Sequence, residues 1–84
     1  MENDNIQYGT YQHYKNKKFY ELIGVALHSE TYETMIIYKA LYHCEKFGAN
    51  PVFVRPKALF FGSVEQNGET IPRFKLITVI PACL

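Results

Sequence analysis

A mainly β fold, a small barrel or roll of five to six short strands with at most one or two short helical turns, is the class this 84-residue sequence predicts. Three observations carry the prediction. Large apolar residues alternate along Phe19–His28, as strand side chains must when successive residues point to opposite faces. Asn67-Gly68 sits between two apolar runs and is the strongest short hairpin signal in the chain. Tyr and Phe make up 15% of the residues, enough to build a core in so short a chain without a metal or disulfide.

The elements follow in order. Gly9–Tyr14 reads as a strand with Tyr11 and His13 on one face and Thr10, Gln12 and Tyr14 on the other. Lys15-Asn16-Lys17 breaks it, with Asn16 suited to the left-handed backbone of a tight turn. In Phe19–His28, strict alternation puts Tyr20, Leu22, Gly24, Ala26 and His28 on one side and Phe19, Glu21, Ile23, Val25 and Leu27 on the other. Gly24, in mid-strand, points to a bulge or sharp bend. Ser29 or Thr31 is suited to cap the following turn, with Glu33 inside it. Met35–Tyr42 fits both periods, and its Ile36-Ile37 pair and strand-like neighbours favour a strand. Gly48-Ala49-Asn50-Pro51 reads as a loop, Val52–Pro56 as a strand stopped by proline, and Lys57–Phe61 as one helical turn. Val64–Gln66 and Ile71–Ile77 flank the hairpin, which confines Pro72 to a strand start or an edge.

One domain accounts for the length, with residues 8–78 as the barrel, 1–7 as a disordered polar tail and 79–84 as an extension of open role. A domain this small has a thin stability margin, on the order of 5 kcal/mol. The formal net charge of +1 gives no support for a broad phosphate-binding surface, although Lys15, Lys17 and Lys18 form a local basic patch that also reads as a solvated turn. No apolar run reaches the roughly 18 residues of a membrane span, and Met1–Asn5 is too polar for a secretion signal. Cys44 and Cys83 lack C-x-x-C spacing. The expected setting is the cytoplasm, with both thiols free.

No P-loop, G-x-G-x-x-G, G-x-S-x-G or H-E-x-x-H motif occurs, so no catalytic residue is assigned and no cofactor is expected. His13, His28 and His43 lack metal-ligand spacing. A thiol enzyme would pair Cys44 with His28 or His43 and orient the base with Glu30 or Glu33, but nothing in the spacing singles this out. The two arginines are more informative. Arg55 lies between Val54 and Pro56, and Arg73 between Pro72 and Phe74, so both fall at strand ends. A guanidinium fork there can grip a carboxylate or phosphate of a ligand, or an internal partner such as Glu30 or Glu33.

At these residues the chain resembles a bacterial family of domains of unknown function, numbered 1653. The resemblance rests on Tyr11-Gln12-His13-Tyr14-Lys15, on Tyr20 through Thr31, on Met35–Tyr42, on Val54-Arg55-Pro56 and on Pro72-Arg73-Phe74, in that order. It implies an SH3-like β-roll and no established activity, although some members carry oxidoreductase-like labels. The family's polar positions map onto His13, His28, Ser29, Glu30, Thr31, Glu33, Arg55 and Arg73. Phe53 stands where the family usually has Trp, which keeps the apolar bulk and loses the indole donor. The Glu45–Pro51 loop is longer than is usual in the family.

The function expected is therefore a binding module for a peptide or small partner, with His13, His28, Glu30, Glu33, Arg55 and Arg73 as site residues and a monomer as the working form. His28, Arg55 and Arg73 are expected to converge at one end of the barrel. The alternatives are a redox-associated protein using Cys44 and, disfavoured by charge, a single-stranded nucleic-acid binder.

Overall fold

A computed structural model describes residues 6–79, and 59% of them are strand. The architecture is a small β-roll built on one five-stranded antiparallel sheet, in the order β6-β3-β2-β1-β9. Its strands are β1 (Gly9–His13), β2 (Phe19–Leu27), β3 (Thr34–Ala40), β6 (Val52–Pro56) and β9 (Phe74–Val79). Two ribbons are appended. One pairs β4 (His43–Cys44) with β5 (Gly48–Ala49), and the other pairs β7 (Ser63–Gln66) with β8 (Glu69–Pro72). A single turn of helix, α1 (Lys57–Phe60), follows β6. Among the described residues, no helix is long and apolar enough to cross a membrane.

Register explains the core. Tyr11 lies opposite Tyr20, Leu22 opposite Tyr38, and Tyr38 opposite Phe53. All are drawn to the inner face, where Tyr11, Tyr20, Leu22, Ile36, Tyr38, Ala40, Phe60 and Phe74 form the buried cluster. The alternation read for β2 holds only as far as Leu22. A bulge between Leu22 and Gly24 inserts one extra residue, which turns Val25 inward opposite Ile36 and puts Ala26 on the outer side. Gly24 lies on the outer face, where an added Cβ would rest 3.4 Å from the Ile37 side chain.

Phe60 fills the middle of the roll. Pro56 ends β6 and serves as N-cap to α1, so the chain turns inward immediately after the edge strand. The Phe60 ring is fully buried, stacks on Phe74 at 4.2 Å and meets Tyr11 and Tyr38 at 5.3 and 5.1 Å. Gly62 lets the chain leave the helix, since a Cβ there would come within 2.8 Å of the Ala58 carbonyl oxygen. The buried phenols are satisfied: Tyr11 donates to the Gln7 carbonyl at 2.6 Å, and the Tyr20 and Tyr42 hydroxyls share a bond of 2.7 Å.

Several local expectations change. Ile71–Ile77 is two strands, because Arg73 interrupts it: its N–H donates to the Gly62 carbonyl and its own carbonyl accepts from Tyr14, which turns the chain from the ribbon into the main sheet. The segment read as a loop at 48–51 contains β5. In the β1–β2 turn the left-handed residue is Lys17, not Asn16, whose Oδ1 instead accepts from the Lys18 N–H at 2.8 Å. Asn67 and Gly68 both have positive φ, 56° and 80°, as a tight hairpin of this type requires. The polar tail proposed for 1–7 falls partly outside the described residues, but Ile6 packs against the core. Of the proposed extension only Val79 is described, as the last residue of β9, and Cys83 lies outside the described residues.

Tyr32 is a local conflict. It sits at φ 61° in the β2–β3 turn with its side chain 74% exposed, so an unfavourable backbone is not offset by packing. Tyr32→Asn is expected to stabilise the domain by about 0.5–1 kcal/mol, read as a raised urea midpoint with an unchanged slope.

Candidate functional site

Where β1 ends and β6 begins to close over it, the inner face opens into a cavity of about 240 Å³. Aromatic rings make its walls, chiefly Tyr20, Tyr38, Phe53 and Phe74, and its polar groups are Asn16, His13 and Arg55. The sheet dictates this meeting. His13 pairs with Phe74 across β1–β9, and Arg55 pairs with Ile36 across β3–β6, which places both on the concave side. The Arg55 guanidinium lies 5.5 Å from the Phe74 ring centroid and within hydrogen-bonding reach of the Tyr38 phenol. Burial raises the Tyr38 pKa, and the Arg55 charge and hydrogen bond work against that rise. Among the described residues no carboxylate forms an ion pair with Arg55; the described pair is Lys39–Glu21, 3.9 Å apart across β2–β3 on the surface and worth little.

His13 is held in one tautomer. Its Nδ1 accepts the Lys15 N–H at 3.1 Å, leaving Nε2–H as the ring's donor. Phe74 and Tyr14 pack on it at 4.8 and 5.1 Å. Burial, and then the charges of Arg55, Arg73 and Lys15, hold its pKa below the ordinary 6.5. Because the folded value lies below the unfolded one, the stability contributed by neutral His13 is intact above about pH 6.5 and is lost as pH falls through the lower folded value. Melting temperature should therefore drop with acidification below pH 6.5, and His13→Gln should flatten that drop relative to the parent protein.

Behind Tyr20 the Tyr42 phenol is pushed up to about 12, first by partial burial and then by its bond to Tyr20. Lys18 Nζ covers the Tyr42 ring at 4.4 Å, and Asn16 Nδ2 donates to the Tyr20 hydroxyl at 3.1 Å.

The structure brings His13 and Arg55 to one cavity. Arg73 is near enough for its charge to act on His13, but its Nε donates to the Leu59 carbonyl at 3.0 Å, so it ties the end of α1 to the start of β9. His28 stands elsewhere. It follows the far end of β2, roughly 25 Å of extended chain from Tyr20. There its Nδ1 accepts the N–H groups of Glu30 and Thr31, so His28 caps the turn, while Thr31 Oγ1 accepts from Glu33 N–H. Glu30 and Glu33 are exposed on that turn and form no ion pair among the described residues. His28 instead borders an apolar outer groove with Leu27, Met35, Ile37, Val52 and Val54. Sequence reasoning did not single out the aromatic walls of the cavity. Tyr38 carried the one available signal, a phenol between Ile36 and Ala40 on the inner side of β3.

Among the described residues, no group of three His, Cys, Asp or Glu side chains could hold a metal ion. Cys44 is half-buried in β4, near Tyr42.

Fold and cavity together define a small β-roll domain with a cationic, aromatic-walled recess. Residues 9–76 match the family described as protein of unknown function (DUF1653), and the chain belongs to that family. It is similar to a solved structure of a DUF1653 protein from Bordetella bronchiseptica, with 26% identity, a TM-score of 0.76, and coverage of 92% of this chain and 94% of that one. Among curated proteins none matches the chain.

Proposed function

We propose that this domain is a recognition module whose Arg55–His13 cavity receives one carboxylate of a peptide or small partner. The observation that carries the reading is Arg55 itself: a half-buried guanidinium on the inner face, braced by Phe74 and Tyr38, with no carboxylate pairing it among the described residues. A partly desolvated fork of this kind binds a carboxylate bidentately and more strongly than an exposed lysine would. Volume narrows the ligand. About 240 Å³ is below the roughly 300–1,000 Å³ of drug-sized sites, so the recess suits one side chain or terminus of a larger molecule.

The test is an amide and aromatic NMR titration of the full chain with a blocked Ala-Glu-Ala tripeptide and its Gln counterpart. The Glu peptide should move resonances of His13, Tyr38, Arg55 and Phe74, and the Gln peptide should not. Equal response to both, or response confined to other residues, refutes the reading.

A further inference from the structure

On the other side of His13 lies a second cavity, of about 360 Å³, lined by Gln12, Lys17 and Lys75 among others. His13 borders both recesses, which makes them neighbours across the end of β1. Among the described residues, no Asp or Glu lines either one. The charges are segregated although the chain is nearly neutral overall. Lys15, Arg55 and Arg73 act on His13; Lys17 and Lys75 line the second recess; and Lys18 covers Tyr42 beside the first. These six are the majority of the nine Lys and Arg residues. The described acids lie away from them: Glu21 faces Lys39, Glu30 and Glu33 occupy the β2–β3 turn, Glu45 follows β4, and Glu65 and Glu69 belong to the β7–β8 ribbon.

We propose that the Lys17–Lys75 recess is a second anion subsite across the end of β1 from the first, and that the partner is an extended acidic peptide whose two carboxylates straddle His13. The inference rests on the carboxylate reading above and extends it to the partner. An acidic peptide fits better than a nucleic acid because the exposed rings, Tyr8, Phe19, Tyr32, Phe47 and Phe61, line neither recess, and two of the rings near His13 are already covered. Phe74 is stacked by Phe60 and faced by Arg55, and Lys18 lies over Tyr42. Single-strand binders need open aromatic faces. Peptide acids need only separated cations with donors between them, and the His13 Nε2–H supplies one such donor.

Affinities of the full chain should be compared for the blocked Ala-Glu-Ala tripeptide, a blocked Ala-Glu-Ala-Glu-Ala pentapeptide, the same pentapeptide with its second Glu changed to Gln, and a thymidine pentanucleotide, at low salt. The two-Glu peptide should bind about three- to fivefold tighter than the one-Glu peptides, a modest gain because the lysines are exposed. Lys75→Gln and Lys17→Gln should each reduce that gain and leave tripeptide affinity unchanged, and the variants' unaltered NMR spectra will establish that they fold. Tripeptide binding without a gain from the second Glu overturns the second subsite and leaves the first reading standing. No binding of any peptide overturns both. Pentanucleotide binding tighter than the two-Glu peptide overturns the choice of partner.

Discussion

Phe60→Ala is expected to leave the domain only marginally stable at 25 °C, with up to about half of the molecules unfolded. The ring is fully buried and contacts Tyr11, Tyr38, Phe61 and Phe74 at once, with centroid distances of 4.2–5.3 Å. Removing a ring from such a site costs about 3–5 kcal/mol, the lost transfer free energy plus the cavity left behind. A domain of this size has on the order of 5 kcal/mol in total. Phe60 is the one buried residue of α1, so no other side chain of that turn can fill the space it leaves. Urea denaturation followed by circular dichroism should show a midpoint near zero denaturant. A loss under about 1 kcal/mol would mean that the rings repack and that the roll does not depend on its plug.

The second large effect concerns Arg55. Arg55→Lys keeps the charge but removes the planar fork, and affinity for the blocked Glu tripeptide should fall about tenfold. Arg73→Lys should change that affinity less than about twofold. Its expected cost is about 1 kcal/mol of stability, because its Nε bond to the Leu59 carbonyl is lost. The two arginines thereby separate a ligand-facing role from a structural one, and isothermal calorimetry beside thermal melts reads both.

Much of the fold was legible because its determinants are local. Asn67-Gly68 sets a hairpin by its own backbone preference, and the apolar alternation of β1 and the early part of β2 reports one buried face. Gly24 announced irregularity in β2, but not that the bulge would exchange Val25 for Ala26 on the inner side, since the position of the extra residue depends on pairing with β3. The division of Ile71–Ile77 at Arg73 was hidden for a similar reason: the bonds that bend the chain come from Gly62 and Tyr14, distant in sequence.

The cavity was legible in part. Arg55 stood out as a guanidinium at a strand end, and His13 entered through the family's polar positions. Their meeting depends on a register that joins β1 to β9 and β3 to β6, and no local pattern specifies it. His28 looked equivalent to Arg55 by position, yet it follows β2 at the opposite side, where it caps a turn.

The chain has only two arginines, so the side-chain Nε–H region of its NMR spectrum should contain two resolvable signals. Adding the blocked Glu tripeptide should shift the Arg55 signal downfield and slow its exchange with water, while the Arg73 signal, already bonded within the protein, stays in place. An unmoved Arg55 signal at saturating peptide, or a moving Arg73 signal beside it, would contradict the assignment of this cavity as a carboxylate site.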